Sequence, residues 1–356
     1  MRARGRVVGA AAVVLALVAG VTGASGAVEK PKAKPRWKDF GGARPVRAGA
    51  LNQVEFVSSR LGWAAGSEGN GYALALWRFE GGKWTRVKNP WSFAPAAMAA
   101  AGPKKAWITG VDLRSSIALF YNGKSWKRTA FPGPGLPVDL AAAPDGTAVS
   151  VAGDPFNGRF AVHTWKNGRW ARANVPLPPG AVVSTVAAGS RKDVWIGGTQ
   201  PAGNGLFGSL LLHWNGRAWR QIPIAGTSDK ARGINKIVID APGRMWALRG
   251  STETTLVRWN GKRVSEAPLP NKGGALTLAT DGAGGVWLLP YSSSKATAAP
   301  YLHWTKGRWA APAWGPRRTG VPGLGDIERV PGTRILVSVG GLALNKRKVP
   351  LVEIYR

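Results

Sequence analysis

The chain has 356 residues, with 49 Lys plus Arg against 18 Asp plus Glu, 18 Trp, 3 His and no Cys, for a formal net charge of +31. With 44% apolar and 19% charged residues it can bury a large core, which excludes a disordered basic tail and assigns the charge excess to scarce acids rather than dense bases. The lack of cysteine excludes disulfides, thiolate nucleophiles and thiolate metal sites. Taken in chain order, Arg2, Arg4 and Arg6 precede an uncharged apolar run at 7–21 and then Ser25-Gly26-Ala27. That is the order of a secretory signal, so residues 1–27 are expected to be removed and 28–356 to form one exported domain. The run is too short to span a bilayer, and no transmembrane segment is expected after cleavage.

A repeat of about 45 residues fills the rest of the chain, the length of a four-stranded propeller blade. One unit reads "DVWIGG" at 193–198, a variable loop, then "LLLHWNGRAWRQIP" at 210–223; related segments are "LALWRFEGGKW" (74–84), "ALFYNGKSW" (118–126), "VHTWKNGRW" (162–170), "LVRWNGKRV" (256–264) and "YLHWTKGRW" (301–309). Each unit divides into strands A to D. The B strands centre on Trp63, Trp107, Val149, Trp195, Trp246, Trp287 and Leu336, which makes seven units. The C strands end at Trp77, Tyr121, Trp165, Trp214, Trp259 and Trp304, and Asn-Gly turns, whose residues tolerate positive φ, lead into D strands carrying Trp84, Trp126, Trp170, Trp219, Val264 and Trp309. The last unit ends in "LVEIYR" (351–356) without a D strand, whereas "RWKDF" at 36–40 is a D-like segment ahead of the first unit. The N-terminal strand is therefore expected to close the ring and remove its open edge. Sixteen of the 18 Trp fall on these positions, where their rings should pack between blades and their indole N–H groups reach backbone acceptors.

"DVWIGG" and "HWNGRAW" resemble the repeats of secreted actinobacterial seven-bladed β-propellers of the kelch-, WD40- and BNR-like group. The resemblance implies an all-β propeller, and because such folds host enzymes and binding modules alike it implies no activity. Val149, Val264 and the missing Asn-Gly turn of the last unit depart from the pattern.

Candidate chemistry is sparse. His163, His213 and His303 lie on C strands without an evident nucleophile or ligand set, so no catalytic residue, metal or cofactor is expected. Asp145-Gly146 and Asp281-Gly282 read as A-to-B turns rather than an acid pair. On the B-to-C and D-to-A loops, Glu68, Asp112, Asp154, Glu253, Phe156, Phe207, Phe93 and above all Trp91, Tyr291 and Trp314 offer a weaker ligand site, the place for an alternative polysaccharide hydrolase or lyase. The strongest pattern is electrostatic: Lys83, Lys124, Arg169, Arg217, Lys262 and Arg308 follow the six C-to-D turns, and Arg60, Lys104, Lys105, Arg191, Lys192, Arg244 and Arg334 flank A-to-B turns. Both turn classes belong to one face of a propeller, so these bases should form a ring that attracts polyanions in a salt-dependent way. The expected role is a secreted, monomeric, non-catalytic module, wall-associated or free, that engages an anionic cell-envelope polymer or surface or an envelope protein and meets nucleic acid only non-specifically.

Overall fold

Apolar runs rich in Val, Ala, Ile and Trp, punctuated by turns with Gly, Asn or Asp, favour short paired strands over helices. A computed structural model describes residues 34–356 except 41–48, 70, 72, 90, 113–114, 132–134, 155–157, 229–231, 251–252, 271–272, 292–294 and 346; among the described residues all regular structure is β. The candidate leader at 1–27 lies outside them, as does Phe156.

Strand β1 (Trp37–Asp39) comes first in the chain and belongs to the last sheet. Blade 1 is β2 (Gly49–Ser58), β3 (Leu61–Glu68), β4 (Ala73–Glu80) and β5 (Lys83–Arg86); blade 2 is β6 (Ala94–Gly102), β7 (Lys105–Val111), β8 (Ser116–Tyr121) and β9 (Trp126–Thr129). Blade 3 is β10 (Leu136–Ala142), β11 (Ala148–Asp154), β12 (Arg159–Lys166) and β13 (Arg169–Arg172). Blade 4 is β14 (Val182–Ser190), β15 (Asp193–Gly203), β16 (Leu206–Trp214) and β17 (Trp219–Gln221), with β18 (Thr227–Ser228) added on β16. Blade 5 is β19 (Ile234–Ala241), β20 (Arg244–Arg249), β21 (Thr255–Trp259) and β22 (Val264–Pro268). Blade 6 is β23 (Ala275–Thr280), β24 (Val286–Pro290), β25 (Pro300–Thr305) and β26 (Arg308–Trp309), with β27 (Ala313–Trp314) added on β25. Blade 7 is β28 (Val321–Arg329), β29 (Leu336–Leu344), β30 (Arg347–Tyr355) and, as its fourth strand, β1.

The protein is thus a seven-bladed propeller of antiparallel sheets, closed as the repeat requires by pairing Trp37 with Tyr355 and Asp39 with Glu353. Arg318 reinforces the closure: it reaches Asp39 of β1 and Glu353 of β30, and Glu353 also accepts from the Tyr301 hydroxyl at 2.6 Å. The A strands contact one another in sequence around the ring and form its inner wall. Every A–B pair carries a register shift, centred on Asn52, Ala96, Val138, Ser184, Asn235, Leu276 and Gly325. Such bulges bend and twist the inner strand where seven edges converge.

The registers correct two repeat assignments. Opposite Glu328 of strand A stands Val337, not Leu336, so Val337 holds the B-strand slot of blade 7. In blade 1 the residue facing Trp84 is Phe79, not Trp77, because its turn is the tight Gly81-Gly82 pair. The outer C–D pairs recur around the ring, with Phe79–Trp84, Tyr121–Trp126, Trp165–Trp170, Trp214–Trp219 and Trp304–Trp309 centroids 5.1–5.7 Å apart. The expected backbone acceptors for the indoles are found only in part. Trp214 and Trp309 donate to the carbonyls of Arg191 and Pro268, but the buried Nε1 groups of Trp37, Trp63, Trp77, Trp84, Trp107, Trp170 and Trp246 find no acceptor among the described residues. Ring burial therefore outweighs the unmet donors, each worth about 1–3 kcal/mol.

Candidate functional site

Turn chemistry places the bases. In blades 1, 3 and 6 the C–D hairpins are two-residue turns closed by Glu80–Lys83, Lys166–Arg169 and Thr305–Arg308, and Asn167-Gly168 and Lys306-Gly307 both take positive φ. In blades 2, 4 and 5 the Asn-Gly pair sits instead in a wider loop, where the Oδ1 atoms of Asn122, Asn215 and Asn260 accept from the next two exposed backbone N–H groups, those of Lys124 and Ser125, Arg217 and Ala218, Lys262 and Arg263. Both geometries leave Lys83, Lys124, Arg169, Arg217, Lys262 and Arg308 exposed, and Arg60, Lys104, Lys105, Arg191, Lys192, Arg244 and Arg334 are exposed as well. The two turn classes share one face: the stem of Lys104 lies across Gly123 and that of Lys192 across Gly216, so that a Cβ at either glycine would sit 2.8 Å from a lysine Cγ. Among the described residues none of these thirteen bases forms a salt bridge.

The acids bordering this face are engaged elsewhere. Asp145 accepts from the backbone N–H of Thr147 at 3.0 Å and of Arg191 in the next blade at 2.7 Å; burial raises its carboxyl, and these hydrogen bonds outweigh burial and hold it below the usual range. Asp193 accepts from Trp195 Nε1 at 2.8 Å and from Gly243 N at 3.0 Å, and lies 2.9 Å from His213 Nε2. His213 in turn stacks on Trp195, with centroids 3.9 Å apart. Asp281, His303 and Trp287 repeat the arrangement, with 2.9 Å between carboxylate and imidazole and 4.2 Å between rings. Burial pushes both carboxyls up, and the hydrogen bonds, the imidazole's first, outweigh it and leave both low.

The expectation that the histidines stand alone is therefore corrected for His213 and His303, each held by an aspartate beneath a tryptophan. His163 is one residue out of that register: it pairs with Ser150, and Thr164 holds the slot facing Val149. Burial, then Arg172, keeps its imidazole neutral to lower pH than usual. Among the described residues no nucleophile is hydrogen-bonded to either His–Asp pair, and their stacked, partly buried geometry is that of blade packing.

The inner wall carries a charge pattern that the sequence reading missed. Glu55, Asp139, Asp326 and Glu328 come from A strands of blades 1, 3 and 7, with Lys236 of blade 5 at 4.0 Å from Asp139. Asp139 clips blade 3 to blade 4 by accepting from Thr185 Oγ1 and Val186 N at 2.8 and 3.0 Å, and Asp326 clips blade 7 to blade 1 through Val54 N at 3.0 Å. Burial, then the charge of Asp326, pushes Glu328 up to about 8, and burial, then Glu328, raises Glu55; Asp139 raises Lys236. Their sequence signal is positional and visible once the registers are known: Asp139, Lys236 and Asp326 directly follow the bulges of their A strands, and Glu55 and Glu328 lie three residues beyond theirs.

The three loop aromatics do not come together. Trp91 packs into the core between blades 1 and 2 and lines a gap of about 300 Å³ beside Lys124 of the hairpin face, and Phe93 is fully buried. Tyr291 and Trp314 are 56% and 59% exposed, both on blade 6: Tyr291 lines a cleft of about 140 Å³ with Pro300, which pairs with Trp314. Glu68 is buried against Arg86 at 2.5 Å. Two larger gaps open on the hairpin face. One of about 920 Å³ lies between blades 6 and 7, beside Lys306, Arg334, Trp304 and Tyr355. The other, of about 500 Å³, lies between blades 3 and 4.

No family model matches the chain, and no curated protein matches it either. Solved structures share the fold. A structure of YCF48 bound to D1 peptide is 15% identical with a TM-score of 0.56, covering 91% of this chain and 96% of its own. A catalytically inactive virginiamycin B lyase from Staphylococcus aureus, with quinupristin, is 11% identical with a TM-score of 0.62 over 91% of this chain and all of its own. A chain of the mitotic checkpoint complex is 12% identical with a TM-score of 0.59 over 97% and 99%. At these identities the likeness is one of architecture, shared by binding proteins and a lyase. Among the described residues no helix is long and apolar enough to cross a membrane.

Proposed function

We propose that the protein is a non-catalytic binding module, acting outside the cytoplasmic membrane, whose hairpin face docks an anionic polymer or surface. The observation that supports this is the segregation of charge: thirteen exposed bases that form no salt bridge among the described residues share one face, while acids line the inner wall or accept hydrogen bonds within and between blades. A seven-fold scaffold turns one base per repeat into a broad positive surface suited to a repeating polyanion, with bound counterions released on docking. The inter-blade gaps on that face, which place indole rings beside bases, add contacts for non-ionic parts of such a ligand.

The test is co-sedimentation with an insoluble phosphate-bearing polymer over a salt series, beside a variant with Lys83, Lys124, Arg169, Arg217, Lys262 and Arg308 changed to Gln. The parent is expected to sediment at about 0.15 M salt and the variant to release, with a shallower salt slope. Equal binding by both, or by neither, overturns the reading. A polysaccharide hydrolase or lyase on the loop face is the second reading, favoured by the exposed Tyr291 and Trp314; it requires product release from a glycan that is lost on changing those residues.

A further inference from the structure

In five of the seven blades one pair of facing positions on strands B and C carries Trp opposite a large side chain, and in blades 3 and 7 it does not. Trp195 faces His213, Trp246 faces Arg258 and Trp287 faces His303, each indole being covered by the side chain opposite. Trp107 faces Phe120 with centroids 5.4 Å apart, and Trp63 faces Arg78. Blade 7 has the small pair Val337 and Ile354, but Phe56, Phe79 and Trp84 of blade 1 fill the space beside it. In blade 3 the pair is Val149 and Thr164, and both line the 500 Å³ cavity. Gaps also border the filled pairs Trp63–Arg78 and Trp287–His303; between blades 3 and 4 the cavity on the anion-attracting face is bordered instead by a small pair that carries no indole.

Its lining is chemically mixed. Val149, Val162 and Val194 form apolar wall, and Trp165, Trp214 and Trp219 add half-buried indoles. Arg172 and Arg191 bring guanidinium groups, and Asn174 and Asp145 bring an amide and a carboxylate. The rim is tied in place: Arg191 N donates to Asp145 at 2.7 Å and its carbonyl accepts from Trp214 Nε1 at 3.0 Å. Flat rings suit the C–H face of a cyclic ligand, guanidinium groups suit a phosphate, and a carboxylate and an amide suit hydroxyls that donate and accept. A volume near 500 Å³ is within the range of small-ligand sites. We propose that this cavity binds a sugar phosphate, one unit of the polyanion that the hairpin face attracts. The inference rests on the anion-binding reading of that face and adds to it a place where the ring of one unit is recognised.

The experiment is isothermal titration of the full chain with glucose 6-phosphate at low salt, with glucose and inorganic phosphate as separate titrants. Two variants accompany it: Val149→Trp, which restores the indole of the other blades, and Arg172→Gln, an exposed change that leaves the packing alone. The parent is expected to bind glucose 6-phosphate more tightly than either component, and each variant to weaken it by about ten-fold or more, equivalent to about 1.4 kcal/mol. None of the six turn bases lines the cavity, so the six-Gln variant is expected to keep glucose 6-phosphate binding while releasing polymer, and Val149→Trp to keep polymer sedimentation. Unchanged affinity in Arg172→Gln, or inorganic phosphate binding as tightly as the sugar phosphate, overturns the proposal. So does a parent that sediments with polymer but ignores glucose 6-phosphate, and that result leaves the face reading standing.

Discussion

The interface between blades 4 and 5 and the one between blades 3 and 4 use the same strand positions and reach opposite packings. At the first, Trp195 is fully buried, stacked on His213 and tied to Asp193, which also accepts from Gly243 N of blade 5. At the second, Val149 and Thr164 face a cavity. The sheets on either side keep the same order, A to D, with the same inner bulge. Backbone pairing and ring closure hold each blade in place, so a single interface tolerates a missing core ring, as stability in a repeat array is distributed over neighbouring contacts. At blade 4 the ring fills the interface core and stabilises it; at blade 3 its absence leaves the small pair bordering space that a ligand can enter.

The sharpest way to break this contrast is to impose the second packing on the first interface. Trp195→Ala is expected to cost about 3–5 kcal/mol, because the surrounding blades relax only in part around a lost indole. Denaturant unfolding measures it, and a cost below about 1 kcal/mol would mean that the ring is as dispensable at the packed interface as at the open one. Asp193→Asn probes the same interface at a smaller scale, about 1.5–3 kcal/mol near neutral pH for the loss of charge-assisted hydrogen bonds. Its sign with pH follows from the lowered carboxyl: Asp193 contributes stability above its ordinary value of 3.8, and that contribution fades as pH falls through its lower value in the folded protein. The parent should therefore lose stability on acidification more steeply than Asp193→Asn, and parallel curves would remove Asp193 from the account.

The reverse change fills the open interface. Val149→Trp, with Thr164 small enough to leave room beside it, is expected to raise stability by about 0.5–2 kcal/mol, the usual range for cavity filling. A loss of similar size would show that the cavity has the wrong shape for an indole and that blades 3 and 4 have settled around the smaller pair.

How far these features were legible depended on whether repetition carried them. Seven units, four strands each, and closure by 36–40 followed from the spacing of Trp and turn residues, because each is stated several times along the chain. The ring of bases was readable for the same reason: one turn slot, repeated, defines one face. What needed the register was hidden. His213 directly precedes Trp214, whereas His163 lies two residues before Trp165, and that one-residue offset sends His163 to the other side of its strand and leaves Thr164 facing Val149. Leu336 differs from Val337 by the same one-residue slip, which a period of two turns into the opposite face, whereas Trp77 differs from Phe79 by two residues, a shift along the same face set by the tight Gly81-Gly82 turn. The inner-wall acids, four residues on three blades, repeat too little to form a pattern in one sequence. Val149 itself was visible as a departure, but only the pairing of its neighbours shows that the space beside it stays open.

The finest test compares the same truncation on both sides of blade 4. Val257 is fully buried in the core between blades 4 and 5, whereas Val149 already borders open space. Removing two methyl groups costs their transfer from water plus whatever new cavity the neighbours fail to close. At Val257 both contributions apply, and Val257→Ala is expected to cost about 2 kcal/mol. At Val149 the methyl groups touch atoms on fewer sides, so fewer contacts are lost and no new enclosed cavity forms; about 1 kcal/mol or less is expected. Thermal unfolding of the two variants side by side ranks them. Should Val149→Ala prove the more damaging, the space between blades 3 and 4 is packed in solution, and the contrast between the two interfaces fails with it.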